Sequence, residues 1–462
     1  MVFSSVSFLI IFLPLVLLIY WIAPKKIKNF VLLIFSLSFY FCGEQKLVLI
    51  MVLSCIVNYV MARIIEASGK KSVRRALLVL DILYNLGMLC YFKYLDFFIE
   101  SFNYFFQAKL PVLNVVLPIG ISFYTFQTLS YVVDVYNGKY KAEKNLIDFS
   151  LYVTFFPQLI AGPIVRYEDV IKEIKNRKIT SEMFSYGITR FCIGLAKKVL
   201  ISNSIAEIVK IYSSSSTHTL AIAWLTAIAI PLQIYFDFSG YSDMAIGLGK
   251  MFGFNFPENF NYPLFANSAT DFWRKWHITL GTWFRDYVYI PLGGNRVKKS
   301  RHIFNILIVW ALTGLWHGAS WNFVIWGLYY GVILLLEKYI YGSFLEKHTI
   351  LSKFYTVLVT IVGFEIFNAE SLQQISKYLL ELVGVGVTNI TTNISNYYIR
   401  SYSVIMLIAI ICTTPLLKNI IKKVEDKRFF KVVENICCIM LLILSIAYLV
   451  DGSYNPFLYF RF

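Results

Sequence analysis

Apolar stretches of about 20 residues recur along the whole chain, and they constrain its fold more than any other feature. The first covers residues 3–23 and the last covers residues 436–450. Only 15% of the residues are charged, whereas soluble proteins carry roughly 25%. Because the hydrocarbon core of a bilayer is about 30 Å thick, one such stretch spans it as a helix. We predict an all-α integral membrane protein in which residues 1–462 form one polytopic domain of about 10 to 13 embedded helical segments.

Basic residues concentrate between the apolar stretches, and the formal net charge is +16. The basic loops are residues 24–28, 68–75, 139–145 and 166–178. Because cytoplasmic loops carry an excess of Lys and Arg, we place all four on the inner side of the membrane. The chain lacks a base-reading motif, so the charge predicts contact with membrane lipid and excludes nucleic acid as a partner.

One apolar segment, residues 149–165, contains residues that interrupt a straight helix, among them Pro157, Gly162 and Pro163. Irregular backbone survives at membrane depth only where protein or a water-filled cavity surrounds it. We therefore predict a re-entrant element here. Its polar residue Gln158 is a candidate for lining a passage through the membrane.

A clearer span, residues 220–236, leads into the acidic and aromatic segment 237–243, which we interpret as a turn. Two interpretations of this turn stay open. It is either the capped start of the next helix or a segment that lines a site. The second interpretation makes Asp237 and Tyr241 candidate site residues.

Two of the five histidines, His277 and His317, lie between residues 271 and 326 among Trp, Phe, Leu and Ile. An ionisable side chain is costly inside a bilayer, so it is a functional candidate by default. We take residues 236–330 as the catalytic block. Further candidates for lining the donor site in this block are Trp273, Arg274, Trp276, Arg285, Asp286, Trp310, Thr313 and Trp316.

Aromatic and aliphatic residues recur at three- and four-residue steps between residues 271 and 290, and this spacing predicts one helix. His277 falls on or next to its apolar face. Arg274 and Arg285 are 11 residues apart, close to three turns, so they share a stripe beside that face. The stripe suits either the phosphates of a donor such as coenzyme A or anionic lipid contacted by an amphipathic helix.

His317 shares one predicted helix face with Trp310 and Thr313, and Gly318 follows it directly. One interpretation is a buried structural histidine that bonds a carbonyl. The other is a catalytic base, because an imidazole with a reference pKa of about 6.5 can take a proton from a hydroxyl. General-base catalysis of this kind contributes typically about 10²- to 10⁴-fold to a rate.

Other chemistries fit the sequence poorly. The chain has no H-E-x-x-H pattern, and the two histidines lack a nearby cysteine or third histidine, so we expect no metal. It also lacks a G-x-S-x-G nucleophile elbow and a P-loop, which argues against a serine hydrolase and an ATP-driven pump. A transporter of protons or small solutes stays open, because intramembrane His and Asp also serve in proton relays.

Several motifs together resemble the membrane-bound O-acyltransferase family, especially its bacterial branch typified by the alginate O-acetylation membrane protein. They are LPIGISFYTFQTLSYVVDVY (117–136), FFPQLIAGPIVRYED (155–169), FDFSGYSDMAIGLGKMFGFNFPENFNYP (236–263), DFWRKWHITLGTWFRDYVYIPLGGNR (271–296), GLWHGASWNFVIWG (314–327) and the final YFRF (459–462). The resemblance implies a helical bundle around a transmembrane tunnel. It also implies that His317 is the essential catalytic histidine and that His277 is the second histidine of the site.

The resemblance further implies the reaction. An acyl group, expected to be acetyl from acetyl-coenzyme A, would pass from a cytoplasmic thioester to an acceptor outside the cell, with no bound cofactor. The acceptor side would involve an extracytoplasmic partner protein with a serine-hydrolase-like domain, or a glycan such as an exopolysaccharide or peptidoglycan. The location implied is the bacterial cytoplasmic membrane, with multiple passes. The alternative within the family is D-alanine transfer to teichoic acid from a carrier-protein thioester.

Overall fold

A computed structural model describes residues 2–160, 162–215, 217–424 and 427–452. The final YFRF segment and Ala161 of the 155–169 motif lie outside these residues. Within them, every regular element is a helix, apart from one isolated parallel β-bridge between Thr219 and Asn389. The all-α integral membrane class that the apolar stretches predict is therefore confirmed.

Seven helical stretches in the described part are long and apolar enough to cross a membrane. The first has 43 residues, or about 65 Å at 1.5 Å per residue, roughly twice a bilayer core. Gln45, with a positive φ of 44°, turns the chain between its two helices. The prediction of about 10 to 13 embedded segments also counted shorter apolar helices. The seven stretches are Lys25–Ala67, Lys71–Phe106, Leu220–Met251, Trp321–Lys347, Thr349–Asn368, Asn393–Cys412 and Phe429–Asp451.

The chain forms two compact units, residues 1–191 with 244–257 and residues 192–243 with 258–462. The single polytopic domain stays a prediction. The α-helices that begin in the first unit are Leu13–Ile22, Lys28–Glu44, Val48–Ala67, Lys71–Leu89, Leu95–Phe106, Ile121–Tyr136, Leu146–Thr154, Phe156–Leu159, Tyr167–Asn176 and Ser181–Ala196.

Hydrogen bonds in the first unit bring together residues that lie in or directly beside the four basic segments assigned to the inner side. Asn29, just after the first loop, donates from Nδ2 to Asp148 Oδ1 at 2.7 Å and to the Ile174 carbonyl at 3.0 Å. Arg74, in the second loop, donates to the Tyr136 carbonyl at 2.5 Å, next to the third loop. This adjacency agrees with one side for all four loops.

The interrupted backbone predicted in residues 149–165 is present. Helix Leu146–Thr154 ends before Phe155, and the short helix Phe156–Leu159 follows with proline in its first turn. A Cβ placed on Gly120 would lie 2.8 Å from the Leu159 carbonyl oxygen, so glycine allows this close approach. Gln158 is buried, and its amide donates to the Tyr152 carbonyl.

The second unit contains most of the predicted catalytic block. Its α-helices are Asn203–Ser214, the larger part of Leu220–Met251, Ala269–Lys275, Ile278–Phe284, Lys299–His317, Trp321–Leu336, Gly342–Lys347, Thr349–Asn368, Leu372–Leu382, Asn393–Cys412, Leu416–Lys422 and Arg428–Asp451. A π-helix, Arg285–Tyr289, follows Ile278–Phe284 directly.

Asp237 and Asp243 lie inside one 32-residue helix, Leu220–Met251, so the predicted turn is wrong. Carboxylates in an apolar helix are tolerated where cations neutralise them. Lys198 Nζ lies 2.5 Å from Asp237 Oδ1, and Lys197 Nζ lies 2.6 Å from Asp243 Oδ2. These two buried or half-buried ion pairs allow the helix to continue through the acidic segment.

Helices Lys299–His317 and Trp321–Leu336 form a tight pair, which we call the His317 hairpin. Small residues let helix backbones approach closely in membrane proteins. A Cβ on Gly314 or on Gly327 would meet a carbonyl oxygen of the facing helix closer than 3.0 Å, a distance that real Cβ atoms essentially never show. The two glycines therefore determine how the His317 helix packs.

Candidate functional site

His277 occupies a break between two short helices, Ala269–Lys275 and Ile278–Phe284. Its backbone is left-handed, with φ 45° and ψ 51°. A residue with a side chain in this region carries strain of order 1–3 kcal/mol, and such residues cluster at functional sites. The prediction of one continuous helix from residue 271 to 290 is therefore wrong at His277.

Asn259 explains why the chain breaks there. Its carbonyl oxygen accepts from Ile278 N at 3.0 Å. Its side-chain Oδ1 accepts from Thr279 Oγ1 at 2.9 Å and from Thr279 N at 3.3 Å. These bonds satisfy amides at the start of the second helix, which an N-cap side chain would otherwise serve.

The same amide oxygen determines the tautomer of His277. Thr279 N can only donate, so the Asn259 atom that faces it is the oxygen Oδ1. His277 Nδ1 lies 3.2 Å from that oxygen and must therefore carry the proton and donate it. The lone pair of His277 is then on Nε2, which is buried and has no hydrogen-bond partner among the described residues.

The charge state of His277 follows from its burial. The residue is 2% exposed and lies outside the seven candidate spans. Burial lowers the pKa of the imidazole from 6.5 to about 3. The side chain is neutral at physiological pH and presents a basic nitrogen.

His317 is the last residue of its helix, and Gly318 continues in an extended conformation. The helical backbone therefore ends directly after His317, and the His317 side chain is buried. Its ring centroid lies 6.5 Å from that of His277. Trp316 contacts both rings, at 5.6 Å from His277 and 5.0 Å from His317. The structure thus brings the two predicted histidines together.

An aromatic cluster adjoins His317. Trp273 packs against Trp310 and Tyr330, with both centroid distances 4.7 Å. Trp326 lies 5.4 Å from Tyr330 and 5.1 Å from His317. Trp273 Nε1, Trp326 Nε1 and the Tyr330 hydroxyl are buried without a hydrogen-bond partner in the described part of the chain. Three donors in one cluster are therefore available to an acceptor such as a carbonyl oxygen.

The contacts of Trp276 and Thr313 are those of residues that pack the helices together. The Trp276 ring stacks on Phe272 at 5.4 Å and contacts Phe260 and Phe364, each at 5.1 Å. The Thr313 hydroxyl donates within its own helix, to a carbonyl 2.8 Å away. Both residues are buried close to the histidines in sequence, but these contacts belong to packing.

The predicted basic stripe is interrupted. Because the chain breaks at His277, Arg274 and Arg285 do not share one helix face. Both are exposed, and Arg285 Nε lies 2.6 Å from Asp286 Oδ1. Neighbouring opposite charges on the surface interact weakly, and the role of the two arginines stays a prediction.

Three further residues were predicted to line the site: Asp237, Tyr241 and Gln158. Asp237 pairs with Lys198, and Tyr241 is buried in the same helix. Phe238, between them, contacts His277 at 4.7 Å. Gln158 belongs to the first unit, where its amide is bonded.

Glu337 anchors the first of the two short helices, and sequence reasoning missed it. Its carboxylate accepts from Ala269 N at 2.6 Å, Thr270 N at 2.9 Å and Thr270 Oγ1 at 2.6 Å. A carboxylate at a helix N-terminus is favoured by unsatisfied amides and by the helix dipole. Asn259 and Phe238 were missed as well. All three act across long sequence separations, and the only signal was a polar or aromatic residue in an apolar segment.

Across the described residues, no group of three or more His, Cys, Asp or Glu side chains is arranged to hold a metal ion. The site offers instead two buried imidazoles and a set of indole and phenol donors. This set can move a proton and can hold a carbonyl oxygen.

Comparisons with known proteins agree with this geometry. Residues 142–373 match the family model of MBOAT, the membrane-bound O-acyltransferase family. The chain is 43% identical to the "probable alginate O-acetylase" of Azotobacter vinelandii over 80% of this chain and 76% of that protein. It is 31% identical to the peptidoglycan O-acetyltransferase of Helicobacter pylori over 100% of this chain and 98% of that protein. A teichoic acid D-alanyltransferase of Bacillus subtilis is 28% identical over 56% of this chain and 68% of that protein.

Proposed function

The chain belongs to the membrane-bound O-acyltransferase family, and we propose on this premise that it is a membrane enzyme that transfers an acyl group to hydroxyls of a cell-envelope polysaccharide. The single observation that carries the proposal is the pair of buried imidazoles, His277 and His317, 6.5 Å apart between ring centroids. This separation suits one hydroxyl oxygen within reach of both rings.

We assign the acyl donor as acetyl-coenzyme A on the cytoplasmic side. A soluble thioester of this kind cannot cross the bilayer, so chemistry within the membrane would move the acetyl group and leave coenzyme A behind. The buried donors of Trp273, Trp326 and Tyr330 support this assignment, since a thioester carbonyl needs donors that strengthen as negative charge develops on its oxygen.

The proposed chemistry is one acyl transfer. A hydroxyl oxygen attacks the thioester carbonyl and forms the new C–O bond, and departure of the thiolate breaks the C–S bond. An imidazole takes the hydroxyl proton, which then passes to the thiolate sulfur. We assign this base to His317. His277, neutral and with its Nε2 lone pair free, would hold the hydroxyl or relay the proton.

The acceptor side is proposed to include a secreted partner. This partner would be an extracytoplasmic acetyltransferase with a serine-hydrolase-like domain, or the glycan itself would be the direct acceptor. The location proposed is the bacterial cytoplasmic membrane, with the thioester side facing in. The basic loops that lie together in the first unit support this orientation.

D-alanine transfer to teichoic acid is the second candidate, and the Bacillus subtilis relative favours it. The higher identity and greater coverage of the O-acetylating relatives favour acetyl transfer. A transporter is a third candidate from another class. It would move a solute or proton without forming an ester.

The donor can be tested with purified protein in nanodiscs and a soluble oligosaccharide acceptor. Acetyl-coenzyme A and a D-alanyl carrier-protein thioester are supplied in parallel, each with a radiolabelled acyl group. Alkali-labile acetyl label on the sugar supports the proposal. D-alanyl label on the sugar selects the second candidate, and movement of solute without ester formation selects the transporter.

A further inference from the structure

A cavity of about 690 Å³ in the first unit is surrounded by positive charge. It lies where the first, third and fourth basic loops meet. Its lining contains one carboxylate, Asp148, and six cations, Lys25, Lys26, Lys28, Lys175, Arg177 and Lys178.

Most of this charge is not neutralised by the protein. Lys175 pairs with Glu143 at 2.6 Å and with Asp148 at 3.4 Å. In the described part of the chain, the other five cations have no carboxylate within ion-pair distance. A concave surface with several cations of one sign attracts anions strongly.

Arg177 is held in one orientation within the lining. Its Nε donates to the Tyr20 hydroxyl at 2.8 Å, and its Nη1 donates to Asn29 Oδ1 at 2.5 Å. Tyr20 is itself oriented, because its hydroxyl donates to the Phe252 carbonyl at 3.1 Å. Asn29 is oriented by the two bonds from its Nδ2, one of them to Asp148. Two side chains that are themselves hydrogen-bonded, Tyr20 and Asn29, thus fix the orientation of the guanidinium.

The second terminal nitrogen of Arg177, Nη2, is buried and has no partner among the described residues. A guanidinium N–H without an acceptor is costly to bury. An oriented arginine with a spare donor is the usual partner of a phosphate, whose oxygens accept from planar N–H groups. The spare donor is therefore suited to an oxygen of an anionic ligand.

The edge of the cavity is apolar and exposed. Trp21, which lines it, is 51% exposed, and Phe30, which also lines it, is 48% exposed. Ile22 and Ile27 beside them are exposed as well. Exposed tryptophan with lysine at the end of a membrane helix is typical of the headgroup level of a bilayer. The phosphate source that fits this edge is a lipid.

We propose that this cavity binds the phosphate of an acidic phospholipid from the cytoplasmic leaflet, with Arg177 as the central contact. The alternative ligand with the same phosphate group is a soluble phosphate ester. None of the cavity residues belongs to the histidine site, so the proposal does not rest on the acyl-transfer reaction.

Native mass spectrometry of the full chain in detergent tests the proposal without any acyl donor. The protein is titrated separately with phosphatidylglycerol, phosphatidylcholine and adenosine 3',5'-bisphosphate. We expect phosphatidylglycerol to stay bound to the protein and phosphatidylcholine to dissociate from it. Arg177→Gln should weaken binding at least about tenfold, because hydrogen bonds to charged groups are strong.

Two further variants separate binding from folding. The double variant Lys25→Gln with Lys26→Gln removes two exposed charges. We expect it to lose roughly fivefold in affinity for phosphatidylglycerol per lysine removed. Lys71→Gln with Arg75→Gln removes the same charge elsewhere on the inner side and should leave binding unchanged. Arg177-dependent binding of the bisphosphate in place of the lipid identifies a soluble source. Binding that is equal in wild type and in both sets of pocket variants overturns the proposal.

Discussion

Replacing Gly327 with alanine should disable the enzyme without touching either histidine. The residue lies in the His317 hairpin, where its Cβ would meet the Trp310 carbonyl oxygen. That oxygen belongs to the backbone of the helix that ends at His317, so it cannot rotate away as a flexible side chain would. The two helices must move apart to admit one methyl group.

The size of the effect follows from the contact distances. The Cβ of an alanine at position 327 would lie under 3.0 Å from the Trp310 carbonyl oxygen, whereas ordinary van der Waals contacts begin at 3.4 Å. The two backbones must therefore separate by upwards of about half an ångström. A misplacement of about 1 Å at a reacting group can reduce a rate about 10²-fold. We expect a loss of about tenfold to 10²-fold in kcat/KM. Overpacking should also lower the free energy of unfolding by about 1–3 kcal/mol, more than the helix propensity gained from alanine.

The matched control is Gly331→Ala, one turn further along the same helix. Its Cβ would lie 3.2 Å from the Trp310 Cβ and 3.3 Å from the Leu307 side chain, so the neighbours need to move by only a few tenths of an ångström. Acetyl transfer to a soluble sugar is measured for both variants, together with their melting temperatures. Gly327→Ala at wild-type kcat/KM, in a folded protein, would refute the reasoning.

Three other outcomes are expected. Asn259→Ala should reduce kcat about tenfold or more, because His277 loses the acceptor that fixes its tautomer, and Asn259→Asp should restore part of it. A wild-type kcat for Asn259→Ala would show that the bond is unimportant. Glu337→Gln should lower the free energy of unfolding by about 1–3 kcal/mol, since three donors lose a carboxylate acceptor, and calorimetry in detergent checks this. Burial acts to raise the pKa of Glu143, but hydrogen bonds from Lys175 and Tyr167 outweigh it and hold the pKa below 4.5. The ionised form therefore stabilises the fold at neutral pH, and this stabilisation is lost as pH falls below about 4.5 through the folded pKa. The melting-temperature difference between wild type and Glu143→Gln should be largest near pH 7 and shrink towards pH 3.5, and a difference that is constant over this range would contradict the assignment.

The parts of this fold that depend on local sequence could be predicted. Apolar length alone indicates the membrane helices, and Gly318 marks the end of the His317 helix. The interruption of the helix near Pro157 could also be predicted, because proline removes a backbone hydrogen-bond donor. These features need no knowledge of residues far away in the chain.

The parts that were missed depend on distant partners. Asp237 and Asp243 look like a polar turn until Lys198 and Lys197, some 40 residues earlier, neutralise them in a continuous helix. The helical spacing of aromatic residues continues on both sides of His277. The break there comes from Asn259, whose bonds to the second helix cannot be inferred from spacing.

The site itself was partly predictable. Both histidines could be chosen, because ionisable residues in apolar segments are functional candidates. Their meeting within 6.5 Å was expected only from family resemblance. The Arg274–Arg285 stripe failed because periodicity was extended across a break that local sequence does not reveal.

The central claim is most directly tested by acetyl transfer across a sealed membrane. Proteoliposomes receive radiolabelled acetyl-coenzyme A on the side of the basic loops, and a hydroxyl acceptor is present only on the other side. The wild-type protein should label the acceptor while coenzyme A stays on the donor side, and His317→Ala should give no ester although it inserts and folds normally. Labelling by His317→Ala at the wild-type rate would contradict the account.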